Sequence, residues 1–304
     1  MNKLGIDLGG TKIEIIALSD QGETLYRQRV ATPQGNYLGI IKAIELLVQQ
    51  AEKMAGGCDV VGMGTPGAIS PATGLMKNSN STCLNNMPFV QDLQKHLGKK
   101  VYIENDANCF ALSEAVDGAA AGEQSVFGVI VGTGVGAGVV INEQIIIGAN
   151  AIAGEWGHNP LPWPLPNELP GLNCYCGKNG CIETWLSGTG LAALFYQENG
   201  RRLTAEEIVA AAGSGDQQCE QALADYENRM ARSLAHVINV LDPHVIVLGG
   251  GMSNVDRLYR NVPALWGQYV FSDEVSTRLC KPVHGDSSGV RGAAWLCDRS
   301  NIRQ

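Results

Sequence analysis

Residues 4–18 read LGIDLGGTKIEIIAL, in which two apolar, β-branched runs flank the pair Gly9-Gly10. The pattern predicts a β-hairpin with the glycine pair at its turn. Paired glycines permit positive φ and let backbone amides face a ligand without interference from a Cβ atom. Asp7, at the strand end, could then hold Mg²⁺ through water, and Thr11 could donate to a phosphoryl oxygen. An ordinary Gly-Gly turn explains the same residues equally well.

Outward from this hairpin, strand-like and helix-like segments alternate along the sequence. The predicted strands lie at 4–6, 13–18, 25–30, 60–63, 101–103, 126–131, 139–147 and 245–248. The predicted helices lie at 37–54, 88–97, 107–116, 186–198, 204–213, 217–240 and 290–297. A second glycine turn at 132–138 repeats the opening of the chain. We therefore predict an α/β protein of two lobes, 1–117 joined by a C-terminal helix at 290–304, and 118–289.

The length and charge of the chain limit its class. A chain of 304 residues suits two packed lobes better than one core. A net charge of −8 argues against a nucleic-acid or acidic-membrane partner, which would need basic patches. No apolar run approaches the ~18 residues of a membrane span, and no signal-peptide pattern opens the sequence. We expect a cytoplasmic protein without membrane or nucleic-acid partners.

The second glycine turn carries the sequence GTGVGAG at 132–138. Alternating glycines weaken a strand, so a loop that faces a ligand is favoured over a packing role. The segment fits the dinucleotide fingerprint GxGxxG/A, but that motif opens a helix and a strand follows here. No Walker-type GxxxxGK(S/T) occurs. We therefore predict contact with phosphate from hairpin turns, and Gly249-Gly250-Gly251 with 284–289 as candidate walls of a nucleotide-base pocket.

A carboxylate at a predicted helix start is the candidate general base. Glu104-Asn105-Asp106 follows a strand and precedes the helix at 107–116. The helix N-terminus favours an ionised Asp106, which could accept the proton of a sugar hydroxyl as it attacks a γ-phosphoryl group. Asn105 could fix hydroxyls by hydrogen bonds. Simple N-capping is the alternative that this motif alone favours.

A cysteine cluster at 174–181, CYCGKNGC, has the spacing C-x-C-x₄-C and follows a histidine. Three thiolates and one imidazole make a closed tetrahedral zinc set, so we predict a structural zinc ion within a loop spanning 158–183. The predicted ligands are His158, Cys174, Cys176 and Cys181. The remaining cysteines are scattered singly and are expected mostly to be buried small apolar residues.

Glu155 and Glu183 flank this cluster. A folded zinc loop would fix both carboxylates, which could then accept hydrogen bonds from vicinal diols of a sugar. Two solvated glutamates are the alternative interpretation.

Together these motifs resemble the ROK family (repressors, open reading frames and sugar kinases). The resemblance runs nearly end to end, through motifs that occur here in this order: Asp7 to Lys12, Glu104 to Asp106, Gly132 to Gly138, Gly154 to His158, and the cysteine cluster ending at Glu183. It implies a two-lobed actin-like ATPase (ribonuclease H-like) fold with a ligand cleft between the lobes. It also implies an ATP- and Mg²⁺-dependent hexose kinase that forms a homodimer.

The resemblance implies a role for each motif residue. Asp106 would be the catalytic base toward the 6-hydroxyl of the sugar. The residues that would contact the sugar are Gly67, Asn80, Asn105, Asp106, Glu155, His158 and Glu183. The residues that would bind ATP and Mg²⁺ are Asp7, Gly9, Gly10, Thr11, Lys12, Gly132, Thr133, Gly134, Gly136, Gly250 and Gly251.

Within the family, the segments AGEWGHNPLPW (153–163) and NSNST (78–82) are similar to those of bacterial manno(fructo)kinases. Fructose, and also mannose, is therefore the expected substrate, with N-acetylglucosamine or glucose as the alternative. The long proline-rich insert before Cys174 departs from the shorter spacing that is common in family glucokinases.

Two other classes share parts of this pattern. A sugar-sensing repressor would carry a helix-turn-helix ahead of the first strand, whereas only three residues precede Leu4 and the chain is acidic. A plain actin-like ATPase would share the phosphate loops but would not need Glu155, His158 and Glu183 around a zinc cluster. Both classes are disfavoured.

Overall fold

The computed structural model describes residues 2–79 and 81–298. The strands within these residues are β1 (Lys3–Leu8), β2 (Lys12–Leu18), β3 (Thr24–Ala31), β4 (Val60–Thr65), β5 (Ala68–Ile69), β6 (Met76–Lys77), β7 (Lys100–Asn105), β8 (Ser125–Val131), β9 (Val135–Ile141), β10 (Gln144–Ile145), β11 (Val245–Gly249) and β12 (Arg278–Cys280). The helices are α1 (Tyr37–Ala55), α2 (Phe89–Leu97), α3 (Asp106–Val116), α4 (Ile182–Leu186), α5 (Gly188–Asn199), α6 (Ala205–Gly213), α7 (Gln217–Leu241), α8 (Leu258–Leu265) and α9 (Ser288–Trp295).

The first sheet has the strand order β3-β2-β1-β4-β7. The predicted hairpin forms from β1 and β2, which pair antiparallel as far as Leu8 and Ile13. Strand β4 pairs parallel with both β1 and β7. The carboxyl ends of three strands therefore lie along one edge of this sheet, which is where open α/β sheets bind ligands.

Burial in this sheet follows the sequence pattern. Ile6, Ile13 and Ile15 are fully buried, as are most of their apolar neighbours. Helix α1 contributes a buried apolar face at helical spacing, and Asn36 caps it by accepting the Gly39 N–H (2.9 Å). The buried face consists of Ile40, Ile41, Ile44, Leu47, Val48 and Ala51.

Several glycines are required by close backbone contact with helix α9. A Cβ on Gly5 of β1 would lie 2.3 Å from the carbonyl oxygen of Val290, and one on Gly62 of β4 would lie 1.8 Å from that of Ala293. On the opposite side of α9, a Cβ on Gly292 would lie 1.7 Å from the carbonyl oxygen of Cys109 in α3. Much of the glycine content therefore serves packing rather than ligand binding.

The second sheet has the order β10-β9-β8-β11-β12. Strand β11 pairs parallel with β8 and β12, and all five of its residues are buried. The sequence pattern missed β12, which is only three residues long, and α8, which contains Pro263. It also merged β9 with β10, and it missed the five-residue helix α4. These elements are short or broken, so their periodicity is weak.

The chain divides into two compact units. The first unit comprises Met1–Gly122, Gly138–Ala153 and Val283–Gln304; the second comprises Glu123–Ala137 and Gly154–Pro282. The sequence-based division differs in placing 138–153 with the second lobe. Gly138 explains this difference, because a Cβ there would lie 2.6 Å from the carbonyl oxygen of Ala107 in α3. Helix α9 ends at Trp295, and residues 299–304 of the predicted C-terminal helix lie outside the described residues.

Among residues 2–79 and 81–298, no helix combines the length and the apolar character needed to cross a bilayer.

Replacing Gly62 with alanine should destabilise the first unit, because the new Cβ would collide with the backbone of α9. Overpacking of this kind typically costs about 1–3 kcal/mol in the free energy of unfolding, and more where backbone must move. Gly213→Ala is the matched control, since Gly213 is exposed at the end of α6 and a Cβ there meets no atom within 4 Å. Denaturant titration compares the two variants; equal stability would contradict this packing.

Candidate functional site

The first hairpin turn is braced by the strand next to it. The Gly9 N–H donates to the carbonyl oxygen of Lys12 (2.9 Å). Thr32 donates from its N–H to the carbonyl oxygen of Thr11 (3.0 Å) and from its hydroxyl to that of Gly9 (2.8 Å). Gly9 and Gly10 do not have positive φ, so backbone conformation does not demand this glycine pair. A Cβ on Gly10 would meet no atom within 4 Å, so open space borders the turn.

Asp7 is a partly buried carboxylate beside this turn. Burial, followed by the negative charges of Asp106 and Glu14, raises the pKa of Asp7 to about 6. Two glycines border its carboxyl group: a Cβ on Gly64 would lie 3.8 Å from it, and one on Gly289 would lie 4.0 Å from it. Carboxylate oxygens are the ligands that hard divalent cations prefer, so Asp7 with Asp106 nearby fits Mg²⁺. The parallel pairing of β1, β4 and β7 places the end of β1, with Asp7, at the same sheet edge as the start of α3, with Asp106.

Asp106 begins helix α3 but does not serve as its N-cap residue. Asn105 occupies the cap position, and its side-chain oxygen accepts the Ala107 N–H (2.9 Å). Oδ1 of Asp106 accepts the same N–H (2.8 Å). The capping alternative therefore accounts for Asn105, while the helix N-terminus orients Asp106 and favours its ionised form.

Gly67 lies beside Asn105, as the sequence-based site implied. The side-chain amide of Asn105 donates to the carbonyl oxygen of Gly67 at 3.4 Å. Gly67 has a φ of +101°, and a Cβ there would lie 2.6 Å from the carbonyl oxygen of Lys77. Glycine is therefore the residue that this position accepts. Asn80, the remaining sugar-contact candidate of this region, lies outside the described residues.

The glycine loop (residues 132–138), which belongs to the second unit as far as Ala137, is tied to the start of α5. The Gly132 N–H donates to the carbonyl oxygen of Gly134 (3.0 Å). Gly188 donates to the carbonyl oxygen of Gly132 (2.8 Å), and the Thr189 hydroxyl donates to that of Thr133 (2.7 Å). A Cβ on Gly132 would meet no atom within 4 Å, so this loop also borders open space.

Glu183 is in direct contact with the glycine loop. Its Oε2 accepts the Val135 N–H (2.9 Å), and a Cβ on Gly134 would lie 2.8 Å from the same oxygen. Glycine at position 134 therefore makes room for this carboxylate. Gly136 follows within β9. A candidate sugar residue and a candidate phosphate loop thus form one hydrogen-bonded unit, which the sequence did not predict.

The third glycine cluster lies against the same loop. Gly250 has a φ of +78°, and a Cβ there would lie 2.5 Å from the carbonyl oxygen of Val131 and 3.0 Å from the Gly132 N atom. A Cβ on Gly251 would meet no atom within 4 Å. Residues 284–289, proposed as the other wall of a base pocket, belong to the first unit.

The predicted zinc ligands converge. The ligand atoms of His158, Cys174, Cys176 and Cys181 all lie within 4.8 Å of one another. Nδ1 of His158 is 3.6 Å from Sγ of Cys174, and Sγ of Cys176 is 3.6 Å from Sγ of Cys181. Tetrahedral zinc with bonds of ~2.3 Å to sulfur and ~2.0 Å to nitrogen requires distances between ligand atoms close to these 3.6 Å separations. The four residues therefore fit a zinc ion that has no open coordination position.

Tyr175 stands at this cluster, although the sequence analysis gave it no role. Its hydroxyl is 3.0 Å from Nε2 of His158, the ring nitrogen that faces away from the cysteines. Burial, then the charges of Glu183 and Glu155, raises the pKa of Tyr175. These two carboxylates therefore lie in electrostatic reach of one hydroxyl. Glu155 is exposed and begins the 3₁₀ turn that ends at His158. The sequence could have indicated this contact, because Tyr175 lies between the two predicted ligands Cys174 and Cys176.

The candidate residues thus form two groups, one in each unit. The first unit contains Asp7, Gly9, Gly10, Thr11, Lys12, Gly67, Asn105 and Asp106. The second unit contains Gly132, Thr133, Gly134, Gly136, Glu155, His158, Cys174, Cys176, Cys181, Glu183, Gly250 and Gly251.

Known proteins match the chain over nearly its whole length. The ROK family model matches residues 3–300. An N-acetyl-D-glucosamine kinase of Pasteurella multocida is 42% identical over 97% of this chain and 98% of its own length.

Two solved structures extend the match to the fold. A ROK hexokinase from Thermus thermophilus superposes with a TM-score of 0.88 at 30% identity, covering 99% of this chain and 100% of its own. A ROK family glucokinase from Streptomyces griseus, in complex with glucose and AMPPNP, gives a TM-score of 0.76 at 26% identity, covering 97% and 99%. These matches confirm the predicted two-lobed α/β, actin-like ATPase fold.

The purified protein should contain about one zinc ion per chain, as measured by elemental analysis, because four ligands close the tetrahedron. Cys176→Ala should lose most of this zinc; Cys176 is exposed, so its removal leaves no core cavity. Cys83→Ala is the control, since Cys83 is not among the converging ligands. A Cys176→Ala variant that keeps full zinc content would contradict the metal assignment.

Proposed function

Because the chain belongs to the ROK family, we propose that it transfers the γ-phosphoryl group of ATP to the 6-hydroxyl of a hexose, with Asp106 as the base. The observation that carries this proposal is the strand register, which places Asp7 opposite Gly64 and Gly64 opposite Glu104, two residues before Asp106. One carboxylate suits a metal-bound phosphate and the other suits a hydroxyl proton, which are the two tasks of a sugar kinase.

The residues of the first unit divide these tasks. Mg²⁺, when bound near Asp7, neutralises charge on the transferring phosphoryl group. The open turn of Gly9 and Gly10 leaves backbone accessible to phosphate oxygens, and Thr11 and Lys12 flank it. Asp106 accepts the proton of the attacking hydroxyl. Its tie to the Ala107 N–H fixes the direction of the carboxylate before the substrate arrives.

The residues of the second unit supply sugar and nucleotide contacts in this proposal. Glu155 and Glu183 accept hydrogen bonds from sugar hydroxyls, and His158 donates from Nε2 because Nδ1 faces the cysteines. In the structure the Tyr175 hydroxyl lies 3.0 Å from this nitrogen. A bound sugar hydroxyl would therefore displace the Tyr175 hydroxyl from Nε2. The glycine loop and Gly250-Gly251 bind ATP.

Two acceptor sugars have specific support. The identity to the Pasteurella multocida N-acetyl-D-glucosamine kinase favours N-acetylglucosamine as the acceptor. The segment at 153–163, which contains Glu155 and His158, supports fructose and mannose as the second candidate. The similarity to N-acetyl-D-glucosamine kinases thus favours N-acetylglucosamine, which the sequence indicated as an alternative, over fructose, which it indicated first.

Asp106→Ala should reduce kcat by about 10²–10⁴-fold, the usual contribution of a positioned base. ATP affinity, followed by the fluorescence of a nucleotide analogue, should remain nearly unchanged. Asp92→Asn is the matched control, because Asp92 also lies in the first turn of a helix, α2, in the same unit. Appreciable turnover by Asp106→Ala would rule out its role as base.

A coupled assay of ADP release with Mg-ATP, using N-acetylglucosamine, fructose, mannose and glucose, separates the acceptors. We expect turnover that depends on added sugar, with the highest kcat/KM for N-acetylglucosamine. A preference for fructose over mannose and the other sugars would instead establish the second candidate and keep the mechanism. Full turnover of ATP without any sugar would overturn the kinase proposal.

A further inference from the structure

The loop of residues 159–173 joins His158 to Cys174 and has almost no regular structure. Its one 3₁₀ turn is Pro166–Glu168. Several of its apolar side chains are exposed, among them Trp163 (49%) and Leu169 (62%). Leu161 is buried (4% exposed), so apolar burial contributes at the beginning of the loop and little beyond it. A free loop of this length would impose an entropic cost on bringing its two ends to one metal ion.

Glu168 anchors the loop to helix α7 through a buried ion cluster. The side chains of Glu168, Arg229 and Arg232 are 3%, 7% and 2% exposed. Arg229 donates from Nε to Oε1 of Glu168 (2.9 Å). Arg232 donates from Nη2 to Oε1 (2.8 Å) and from Nη1 to Oε2 (3.0 Å). Burial alone would raise the pKa of Glu168, but the hydrogen bonds from Arg232, the Leu165 N–H and Arg229 lower it overall, so the carboxylate stays ionised.

Arg232 holds the loop at two places. Besides Glu168, its Nη1 donates to the carbonyl oxygens of Pro162 (3.1 Å) and Trp163 (2.6 Å). These carbonyls lie shortly after His158, whereas Glu168 lies shortly before Cys174. One guanidinium group therefore connects the outgoing and returning parts of the loop. The planar fork of arginine suits this multiple contact, which a lysine could not reproduce.

Contacts continue from Arg229 to the cysteine cluster. The guanidinium group of Arg229 lies 4.9 Å from the ring centroid of Trp185, which donates from Nε1 to the carbonyl oxygen of Gly180 (3.3 Å). The Leu161 N–H donates to the same carbonyl (3.0 Å). Gly180 precedes the ligand Cys181. Trp185 follows two residues after Glu183, the carboxylate bound to the glycine loop.

We propose that Glu168, Arg229 and Arg232 are positioning residues of the sugar site. They hold the loop so that His158 reaches the three cysteines and Glu183 stays on the glycine loop. The part concerning sugar rests on the proposed function. The part concerning the metal cluster and the loop stands on the contacts alone.

Glu168→Gln tests the proposal, because it keeps the shape of the side chain and removes its charge. Glu227→Gln is the matched control: Glu227 is also buried, lies on α7 itself, and accepts hydrogen bonds from Arg257 and from Asn261 (3.0 Å). Of these two glutamates, Glu168 is the one that belongs to the loop 159–173 and connects it to α7. The measurements are the rate of zinc loss to excess chelator, the rate of proteolysis within 159–173, and KM for the sugar and for ATP.

Glu168→Gln should lose zinc about tenfold faster than the wild type, the lower end of the effect of removing a direct partner of a metal ligand, because Glu168 acts through the loop. Cleavage within 159–173 should accelerate, and KM should rise for the sugar but not for ATP. Glu227→Gln should resemble the wild type in all three, although both variants lose thermal stability. Equal zinc loss and equal cleavage in the two variants would overturn the proposal.

A second variant and a second measurement test the proposal where the first ones fail. If Glu168→Gln does not fold, Arg232→Lys replaces it, since lysine keeps the charge and loses the contacts at two places. If the purified protein holds no zinc, the proteolysis rate alone decides. Failure of the proposed function appears differently, as wild-type protein without sugar-dependent turnover while the differences in zinc loss and cleavage persist.

Discussion

The parallel pairing of β4 with β1 and β7 is the constraint on which the candidate residues of the first unit depend. The register places Asp7 opposite Gly64, and Gly64 opposite Glu104. Helix α3 begins directly after β7, so Asp106 emerges at the edge where β1 ends. Asp7 and Asp106 are far apart in the sequence, so the pairing of distant strands is what places them at the same sheet edge. Burial, and then the negative charge of Asp106, raises the pKa of Asp7, and a nucleotide-bound cation would relieve the repulsion between the two carboxylates.

The same sheet accepts helix α9 only because glycine occupies the contact positions. Gly5 and Gly62 remove the side chains that would collide with α9, and Gly292 removes the one that would collide with α3. Glycine costs conformational entropy on folding, so these positions trade local stability for close packing of backbone on backbone. The glycines that border open space, Gly10 and Gly132, are a different set. The composition alone could not separate the two uses.

What the sequence could predict was local. The first hairpin, the spacing of the cysteines and the cap at Asn105 depend on neighbouring residues, and the structure contains all three. The bond between Glu183 and Val135 joins distant segments whose residue types give no hint of pairing. The segment 138–153 belongs to the first unit, where Gly138 lets β9 approach the backbone of α3 closely. Such features follow from packing, which periodicity does not contain.

The loop of residues 159–173, which joins two of the predicted zinc ligands, is held mainly by polar contacts. Leu161 is buried, but Trp163, Leu165 and Leu169 are exposed. Glu168 gives up hydration and gains hydrogen bonds from two arginines in its place. Replacing such a cluster entirely by apolar residues can be harmless, but removing one partner leaves buried charge uncompensated. The cluster therefore contributes less to stability than to fixing one arrangement of the loop. If Glu183 contacts sugar hydroxyls as proposed, its selectivity depends on that fixed arrangement, because a polar site discriminates by the geometry of its hydrogen bonds.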